Sequence, residues 1–416
     1  MQRDAPYGGQ AHAFNRRGHR VSQFSQTVDG LLKKGQSIDQ AKKVLLDQVR
    51  LDMTDFLGKR DAGKPFCYWF GPTNVHRKWI QGSGKKVWGI DPDSLKGKLP
   101  PFLPDVHTVR EDLADYFGEV AAFDASLGVL IDVLRKSGDL ENTVIVVSGD
   151  HGAPGFPHGK CNLYDFGTRV PLLAAGPGIH GGRVVDDFVS LPDLAPTFLE
   201  IGGVQPDKGM SARSIVPVLK SKQSGLVDSK RTHVFAGRER HVQQARAGQL
   251  PYPQRSIRTK DFLFVINFKP DRYPLGDPYR LDSDNPPSVA DMTRSTFVTL
   301  PDEDAGPTKA WLVSHRNDPK WKALYEQVYG KRPRAELFDL KADPHQMNNV
   351  ADNPKYAATV AALEKQLMTE LKRTGDPRLL DDGKFFETPP MAGPIAKDAL
   401  QSPRRKRKPG KPKENK

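Results

Sequence analysis

The sequence predicts an α/β protein, in which a parallel sheet lies between helices and a smaller antiparallel α+β domain follows. Before about residue 210, a helical apolar period over 108–138 leads into a β-branched run at 143–147, the order typical of parallel α/β units. Later strand-like runs are short and alternate with loops rich in proline and glycine, which favours antiparallel pairing. We therefore predict a first domain over 1–210, a second over 211–378, and an irregular end over 379–416.

Three helices are predicted from capping signals and apolar spacing. Ser37 and Gln40 have the spacing of a capping box, and apolar residues then recur every three or four positions. Thr108 and Glu111 have the same spacing and predict the start of a second helix. A third helix is predicted over 354–374, where the apolar residues share one face.

Strands are predicted where a β-branched or aromatic run ends in a turn signal. The run at 66–70 is continuously apolar and stops at Gly71 and Pro72, the pattern of a strand buried on both faces. The other runs that satisfy this rule are 143–147, 170–175, 231–236, 262–268 and 336–340. We expect the strands before residue 210 to share one sheet.

Composition excludes several classes of protein. The chain has 416 residues, of which 37% are hydrophobic and 27% charged, as is usual for globular proteins. It has neither a run of about 18 apolar residues that could span a membrane nor an apolar N-terminal segment typical of a signal peptide. Its two cysteines, Cys67 and Cys161, exclude a disulfide scaffold and a four-cysteine zinc site.

The positive charge is concentrated at the C-terminal end. The segment 404–416 contains eight Lys or Arg and one Glu, which is more than half of the net charge of +13. A run of lysine, arginine and proline cannot bury apolar area, so we predict a disordered basic tail that binds polyanions weakly. This distribution argues against a specific nucleic-acid-binding surface.

Four residues predict a pocket for an oxyanion. Asp150 and His151 follow the strand at 143–147 on a turn flanked by glycines, and ligands of open α/β sheets bind at such strand ends. His76 follows the run at 66–70, and Lys160 precedes another strand. A metal-binding pair together with two cations suits a sulfate or phosphate ester, whose oxygens they would neutralise.

These residues lie in motifs that resemble a known family. The chain resembles the sulfatases of the alkaline phosphatase superfamily, and within them the heparan N-sulfatase or sulfamidase-like group, over roughly 5–375. The motifs that carry the resemblance are Gly149-Asp150-His151-Gly152, Gly159-Lys160 with Asn162-Leu163-Tyr164-Asp165, Arg169-Val170-Pro171, the strand end at His76, Leu191-Pro192-Asp193-Leu194-Ala195-Pro196-Thr197, Glu336-Leu337-Phe338-Asp339-Leu340, Asp343-Pro344 and Asn348-Asn349-Val350-Ala351.

The resemblance implies a fold, a cofactor and residue roles. The fold would be alkaline-phosphatase-like, and the protein would be periplasmic or extracellular. Asp150 and His151 match half of the family's calcium site, and His151 leaves another divalent metal possible because calcium prefers oxygen ligands. Lys160 matches the lysine that contacts the sulfate, and His76 matches the histidine beside the leaving atom. The nucleophile would be a formylglycine.

The nucleophile motif is the main departure from the family. Sulfatases make formylglycine in a Cys/Ser-x-Pro-x-Arg segment, but Cys67 is followed by Tyr-Trp-Phe and Cys161 by Asn-Leu-Tyr. The sequence therefore predicts a sulfatase catalytic domain that lacks its N-terminal segment, and a chain that hydrolyses no sulfate ester or sulfamate by itself.

Cationic loops predict the substrate class. Arg238, His241 and Arg255 lie in segments at 237–241 and 250–259 that concentrate cations, and arginine can hold the sulfate or carboxylate groups of a sugar. This favours a sulfated glycan such as a glycosaminoglycan. Two alternatives stay open: a phosphoesterase or phosphotransferase of the same superfamily, and a non-catalytic protein that binds sulfated glycans.

Overall fold

The computed structural model describes residues 24–61 and 63–388, which form helices and two antiparallel sheets. The α-helices are α1 (Phe24–Leu32), α2 (Ile38–Gly58), α3 (Ser83–Trp88), α4 (His107–Ser137), α5 (Asp165–Thr168), α6 (Leu194–Ile201), α7 (Val216–Lys220), α8 (Val289–Arg294), α9 (Pro307–Ser314), α10 (Lys322–Tyr329), α11 (Ala357–Arg373) and α12 (Lys384–Glu387). The strands are β1 (Ile145–Ser148), β2 (Leu172–Ala175), β3 (His233–Arg238), β4 (Gln254–Thr259), β5 (Phe262–Asn267) and β6 (Ala335–Asp339).

The two capping boxes predicted for α2 and α4 have different outcomes. The prediction for α2 is confirmed, because the Ser37 hydroxyl accepts the Gln40 N–H and the Gln40 side chain accepts the Ser37 N–H. The prediction for α4 is wrong, since that helix begins one residue earlier and its N-cap residue makes no side-chain bond. Glu111 instead accepts a hydrogen bond of 2.7 Å from the Gln81 amide. The Glu111 side chain therefore bonds to a residue 30 positions away instead of capping α4.

The segment 66–70 is half-buried, which corrects the prediction of a strand buried on both faces. Side chains on its two faces differ in exposure. The Tyr68 ring lies 4.8 Å from the Phe56 ring of α2, whereas the Trp69 side chain on the other face is 80% exposed. It belongs to neither sheet of the described residues. An apolar run shows that side chains avoid water, but it does not show whether a ladder partner exists on each side.

The β1–β2 pair is antiparallel, so the predicted parallel sheet is not present among the described strands. Ile145 lies opposite Ala175 and Ser148 opposite Leu172. A parallel pair needs a crossover connection, usually a helix, whereas the β1–β2 connection is a folded loop whose only α-helix is the single turn α5. The β-branched runs identified the strands, but their direction depends on how the connecting loop folds.

The second domain contains an antiparallel sheet in the order β3-β4-β5-β6. Antiparallel pairing was predicted for this domain. One face packs on α11, where Phe264 and Ile266 meet Leu367. The other face carries Leu263 and Val265, together with the loop that follows β1. Because successive strand residues point to opposite faces, this sheet contacts both its own helix and the first domain.

Strand β4 corrects the prediction of a cationic loop at 250–259. Most of its side chains are polar, and they are buried or half-buried: Gln254 donates to Asn267 at 2.7 Å, and Arg258 pairs with Asp165 at 2.8 Å. Strands are recognised in a sequence by alternating apolar residues, and β4 has few of them. Its polar side chains can be buried because other residues pair with them, which the hydropathy pattern does not show.

Three further predictions concern the basic tail, membrane spans and the domain boundary. The basic tail at 404–416 lies outside the described residues. Within those residues, no helix is long and apolar enough to cross a membrane. The boundary near residue 210 stays a prediction, and the two parts are in direct contact, since the Thr308 hydroxyl donates to Asp112 of α4 at 2.6 Å.

Candidate active site

The loop between β1 and β2 carries three of the four predicted pocket residues. It folds back on itself through the Gly152 N–H, which donates to the Gly167 carbonyl at 2.9 Å, and the Lys160 N–H, which donates to the Ala153 carbonyl at 3.0 Å. A Cβ atom at Gly152 would lie 1.8 Å from the Phe166 carbonyl oxygen. The glycine beside His151 is therefore required for this close approach of the two backbone segments.

The fold brings Lys160 and His76 close together, although 84 residues separate them. The Lys160 Nζ atom lies 3.4 Å from the His76 Nε2 atom. The His76 Nδ1 atom lies 2.6 Å from the Arg77 carbonyl oxygen, and a carbonyl can only accept a hydrogen bond. The Nδ1 proton is thus committed to Arg77, and Nε2 is the atom that can exchange a proton with a ligand beside Lys160.

Asp304 is a third member of this group, which sequence reasoning missed. Its Oδ2 atom lies 3.1 Å from the Lys160 Nζ atom, and both side chains are 11% exposed. Burial by itself would raise the pKa of Asp304, but Lys160, and to a lesser extent His76 and His241, hold that pKa below its usual value. Asp304 therefore carries the negative charge that balances the cations of the pocket. The acidic run at 302–304 was its only signal in the sequence.

The turn that carries Lys160, residues 158–162, is held from the second domain. An Arg238 guanidinium N–H donates to the Cys161 carbonyl, and Arg332 donates to the Asn162 side-chain oxygen at 2.7 Å. Both His158 and Cys161 have positive φ angles, 60° and 71°, which residues other than glycine rarely adopt. Tertiary contacts, rather than local preference, therefore maintain this turn.

Two of the predicted substrate residues, Arg238 and His241, lie around Asp302. This carboxylate is fully buried, accepts from Arg238, and lies 2.8 Å from Arg246 and 3.6 Å from His241. The Asp302 hydrogen bond, followed by a hydrogen bond with Cys161, raises the pKa of His241 to about 9. His241 is thus a cation at neutral pH close to Lys160, and its substrate role stays a prediction.

Arg255, the third predicted substrate residue, is engaged by other parts of the protein. It pairs with Asp376 at 2.6 Å and with Glu239 at 2.8 Å, and its remaining N–H groups donate to the carbonyls of Arg238 and Gln254. A guanidinium has five N–H donors, and these contacts use all of them. A substrate contact by Arg255 stays a prediction that would require this network to open.

Asp150 and His151 lie together but do not make a closed metal site. The His151 Nε2 atom is 3.4 Å from an Asp150 carboxylate oxygen, and the Asp150 side chain is 80% exposed. Across residues 24–61 and 63–388, no group of three or more His, Cys, Asp or Glu side chains could hold a metal ion. Calcium takes about six to eight oxygen ligands, so these two side chains alone do not fit it.

Comparisons with known proteins find similar sequences over most of the chain. Residues 6–204 match the sulfatase family, and residues 150–277 match the C-terminal region of N-sulphoglucosamine sulphohydrolase. An ulvan-active sulfatase of Formosa agariphila is 28% identical over 329 residues, which are 78% of this chain and 49% of that protein. The human N-sulphoglucosamine sulphohydrolase is 29% identical over 71% of this chain and 56% of its own length.

Solved structures show the same fold. A structure from work on the metabolism of multiple glycosaminoglycans by Bacteroides thetaiotaomicron matches with a TM-score of 0.54 at 18% identity, over 84% of this chain and 62% of that one. A structure from Bacteroides fragilis matches with a TM-score of 0.53 at 16% identity, over 83% and 60%. These matches confirm the predicted mixed class of helices and sheets with a small antiparallel domain, whereas the parallel sheet is absent from the described strands.

The fold and the pair formed by Lys160 and His76 are compatible with the class of protein that these comparisons indicate. The matched segments span 6–277 and contain all four predicted pocket residues. The chain is thus similar to the sulfatase family over nearly half of its length, and to the C-terminal region of N-sulphoglucosamine sulphohydrolase over 150–277. It spans about half the length of the curated relatives that it matches.

Proposed function

We propose that this chain forms the sulfo-group-binding part of a sulfatase, a sulfuric ester or sulfamate hydrolase that acts on sulfated glycans. The observation that supports it best is the contact between Lys160 and His76, two residues that the family motifs identify independently and that the fold brings within 3.4 Å. Its glycan specificity is supported by relatives named for ulvan and N-sulphoglucosamine. As in much of the family, we place the protein in the periplasm or outside the cell.

The two side chains can do different chemical work. The Lys160 ammonium is a compact positive charge that can bind an oxygen of the sulfo group. The His76 Nε2 atom can deliver a proton to the departing nitrogen or oxygen after it has taken one up, an effect of roughly 10²–10⁴ in rate in other enzymes. Asp304 balances these charges without facing water directly.

Calcium and formylglycine belong to the proposal only as what the family implies. Asp150 and His151 would contribute two of the calcium ligands. The printed sequence contains no Cys-x-Pro-x-Arg or Ser-x-Pro-x-Arg segment. Binding and orienting the sulfo group are therefore the functions that its own side chains support.

We expect the purified chain to bind N-sulfoglucosamine, and Lys160→Met to weaken this binding more than about tenfold, because a neutral side chain cannot offset the sulfo charge. Isothermal titration calorimetry measures both affinities, with N-acetylglucosamine as the ligand that lacks the sulfo group. Lys341→Met, at an exposed position, is the matched control and should bind as the wild type does. Equal affinities for wild type and Lys160→Met would contradict the proposed function.

The basic tail is proposed as a second, weaker contact with polyanions. Deleting 403–416 should lower the salt concentration at which the protein elutes from heparin, because exposed charges interact weakly and are screened by salt. The melting temperature should not change. A variant in which glycine and serine replace the tail at equal length separates charge from length, and an unchanged elution position would contradict this role.

A further inference from the structure

Asp304 has a geometry that points to a specific role beside Lys160. It reaches Lys160 from a loop 144 residues further along the chain, and the two side chains are equally shielded from water. None of the family motifs found in the sequence includes it. The contact therefore comes from the second domain and not from the loop that carries Lys160.

The loop that carries Asp304 is held independently of Lys160. Its neighbour Asp302 is anchored by Arg238 and Arg246, and the buried Lys309 ammonium donates to the carbonyls of Leu300 and Glu303 at 2.9 and 2.8 Å. The backbone around Asp304 is thus held by contacts that do not involve Lys160, whose own side chain is flexible. A lysine side chain has four rotatable bonds and loses up to about 2 kcal/mol of conformational entropy when it is held in place.

We propose that Asp304 is a positioning residue, which holds the Lys160 ammonium beside His76 so that both face the sulfo group. This inference rests on the proposed function of the pocket. Asp304 itself does not contact the sulfo group, since a carboxylate would repel it. Its effect is exerted through the fixed position of Lys160.

Simple electrostatics and positioning predict opposite results for Asp304→Asn. If the carboxylate were only a nearby negative charge, its removal would strengthen the binding of an anion. If it positions Lys160, its removal frees the ammonium and weakens the binding of N-sulfoglucosamine by roughly tenfold. The sign of the change therefore distinguishes the two explanations.

The experiment is calorimetric titration of the full chain with N-sulfoglucosamine. We expect Asp304→Asn and Asp304→Ala to bind more weakly and Asp304→Glu to recover part of the lost affinity, which a purely structural role would not require. Asp352→Asn, at an exposed position, makes the same change in net charge and should leave the affinity unchanged. The alanine variant gives the result if the asparagine variant does not fold.

The outcomes separate this inference from the proposed function. Unchanged or tighter binding by the Asp304 variants, together with weak binding by Lys160→Met, would overturn the positioning role alone. Unchanged binding by Lys160→Met would overturn the function on which the inference rests. Weaker binding by both, with recovery in Asp304→Glu, supports the inference.

Discussion

Asp302→Ala is expected to lower the free energy of unfolding by about 3–5 kcal/mol, the range for removing one partner of a buried ion pair. Asp302 is fully buried and compensates two guanidinium groups, those of Arg238 and Arg246, whose side chains are 8% and 2% exposed. Although burial alone would raise the pKa of Asp302, these cations and His241 lower it, so the carboxylate is charged in the folded protein. Its loss leaves the two buried guanidinium groups with carbonyl partners but without the carboxylate that balances their charge.

Urea denaturation followed by circular dichroism measures this change. Asp302→Asn keeps the shape of the side chain and should also be destabilised, by less than the alanine variant because it can still accept a hydrogen bond. Asp352→Ala, at an exposed position, is the control and should stay within about 0.5 kcal/mol of the wild type. A loss below about 1 kcal/mol for Asp302→Ala would show that the arginines have other means of compensation.

His158 is expected to make the fold sensitive to acid. Its ring stacks on Phe102 at 4.5 Å and lies 4.3 Å from the ring of Tyr164. Burial, together with the charges of Arg332 and His345, lowers the pKa of His158 from 6.5 to about 3. The unfolded chain takes up a proton near pH 6.5 while the folded protein does not. The contribution of His158 to the free energy of unfolding is therefore fully present above pH 6.5. It falls by about 1.4 kcal/mol per pH unit as the pH drops towards 3.

His158→Asn removes this titration and retains a residue that tolerates the positive φ angle. The variant should be less stable than the wild type at pH 7.5, because it loses the stacking contacts, and the difference should shrink by about 2–3 kcal/mol on acidification to pH 4.5. Chemical denaturation at several pH values measures the difference. His180→Asn, at an exposed position, is the control. A difference that does not depend on pH would contradict a buried neutral His158.

The elements that could be predicted were those whose signals are local. The α2 capping box lies within four residues, and the third predicted helix, over 354–374, contains α11. Strands β3, β5 and β6 were found within two residues of their ends, since an alternating apolar face is visible in the sequence. In contrast, β4 was not predicted, because polar side chains such as Gln254 and Arg258 pair with partners distant in the sequence. The helices α8 to α10 were not predicted either, although Ser288 and Asp291 form a local capping box at α8.

The pocket shows the same division. His76 and Lys160 were identified from motifs, and the fold brings them together. Asp304 was not identified, because its importance comes only from its position 3.1 Å from Lys160. The role predicted for Arg255 assumed that a cation in a loop is free, whereas the structure places it in a strand with two carboxylates.

By itself, the sequence determined the class of mixed helices and sheets, three of the helices, most strand positions, the family resemblance and the motifs that contain His76 and Lys160. These depend on local periodicity and on motifs a few residues long. The tertiary structure alone decided the antiparallel direction of β1 and β2, the pairing of each buried cation, and the presence of Asp304 beside Lys160. The physical reason is that strand pairing and charge compensation join residues tens to more than a hundred positions apart, and no local pattern specifies which distant partner is used.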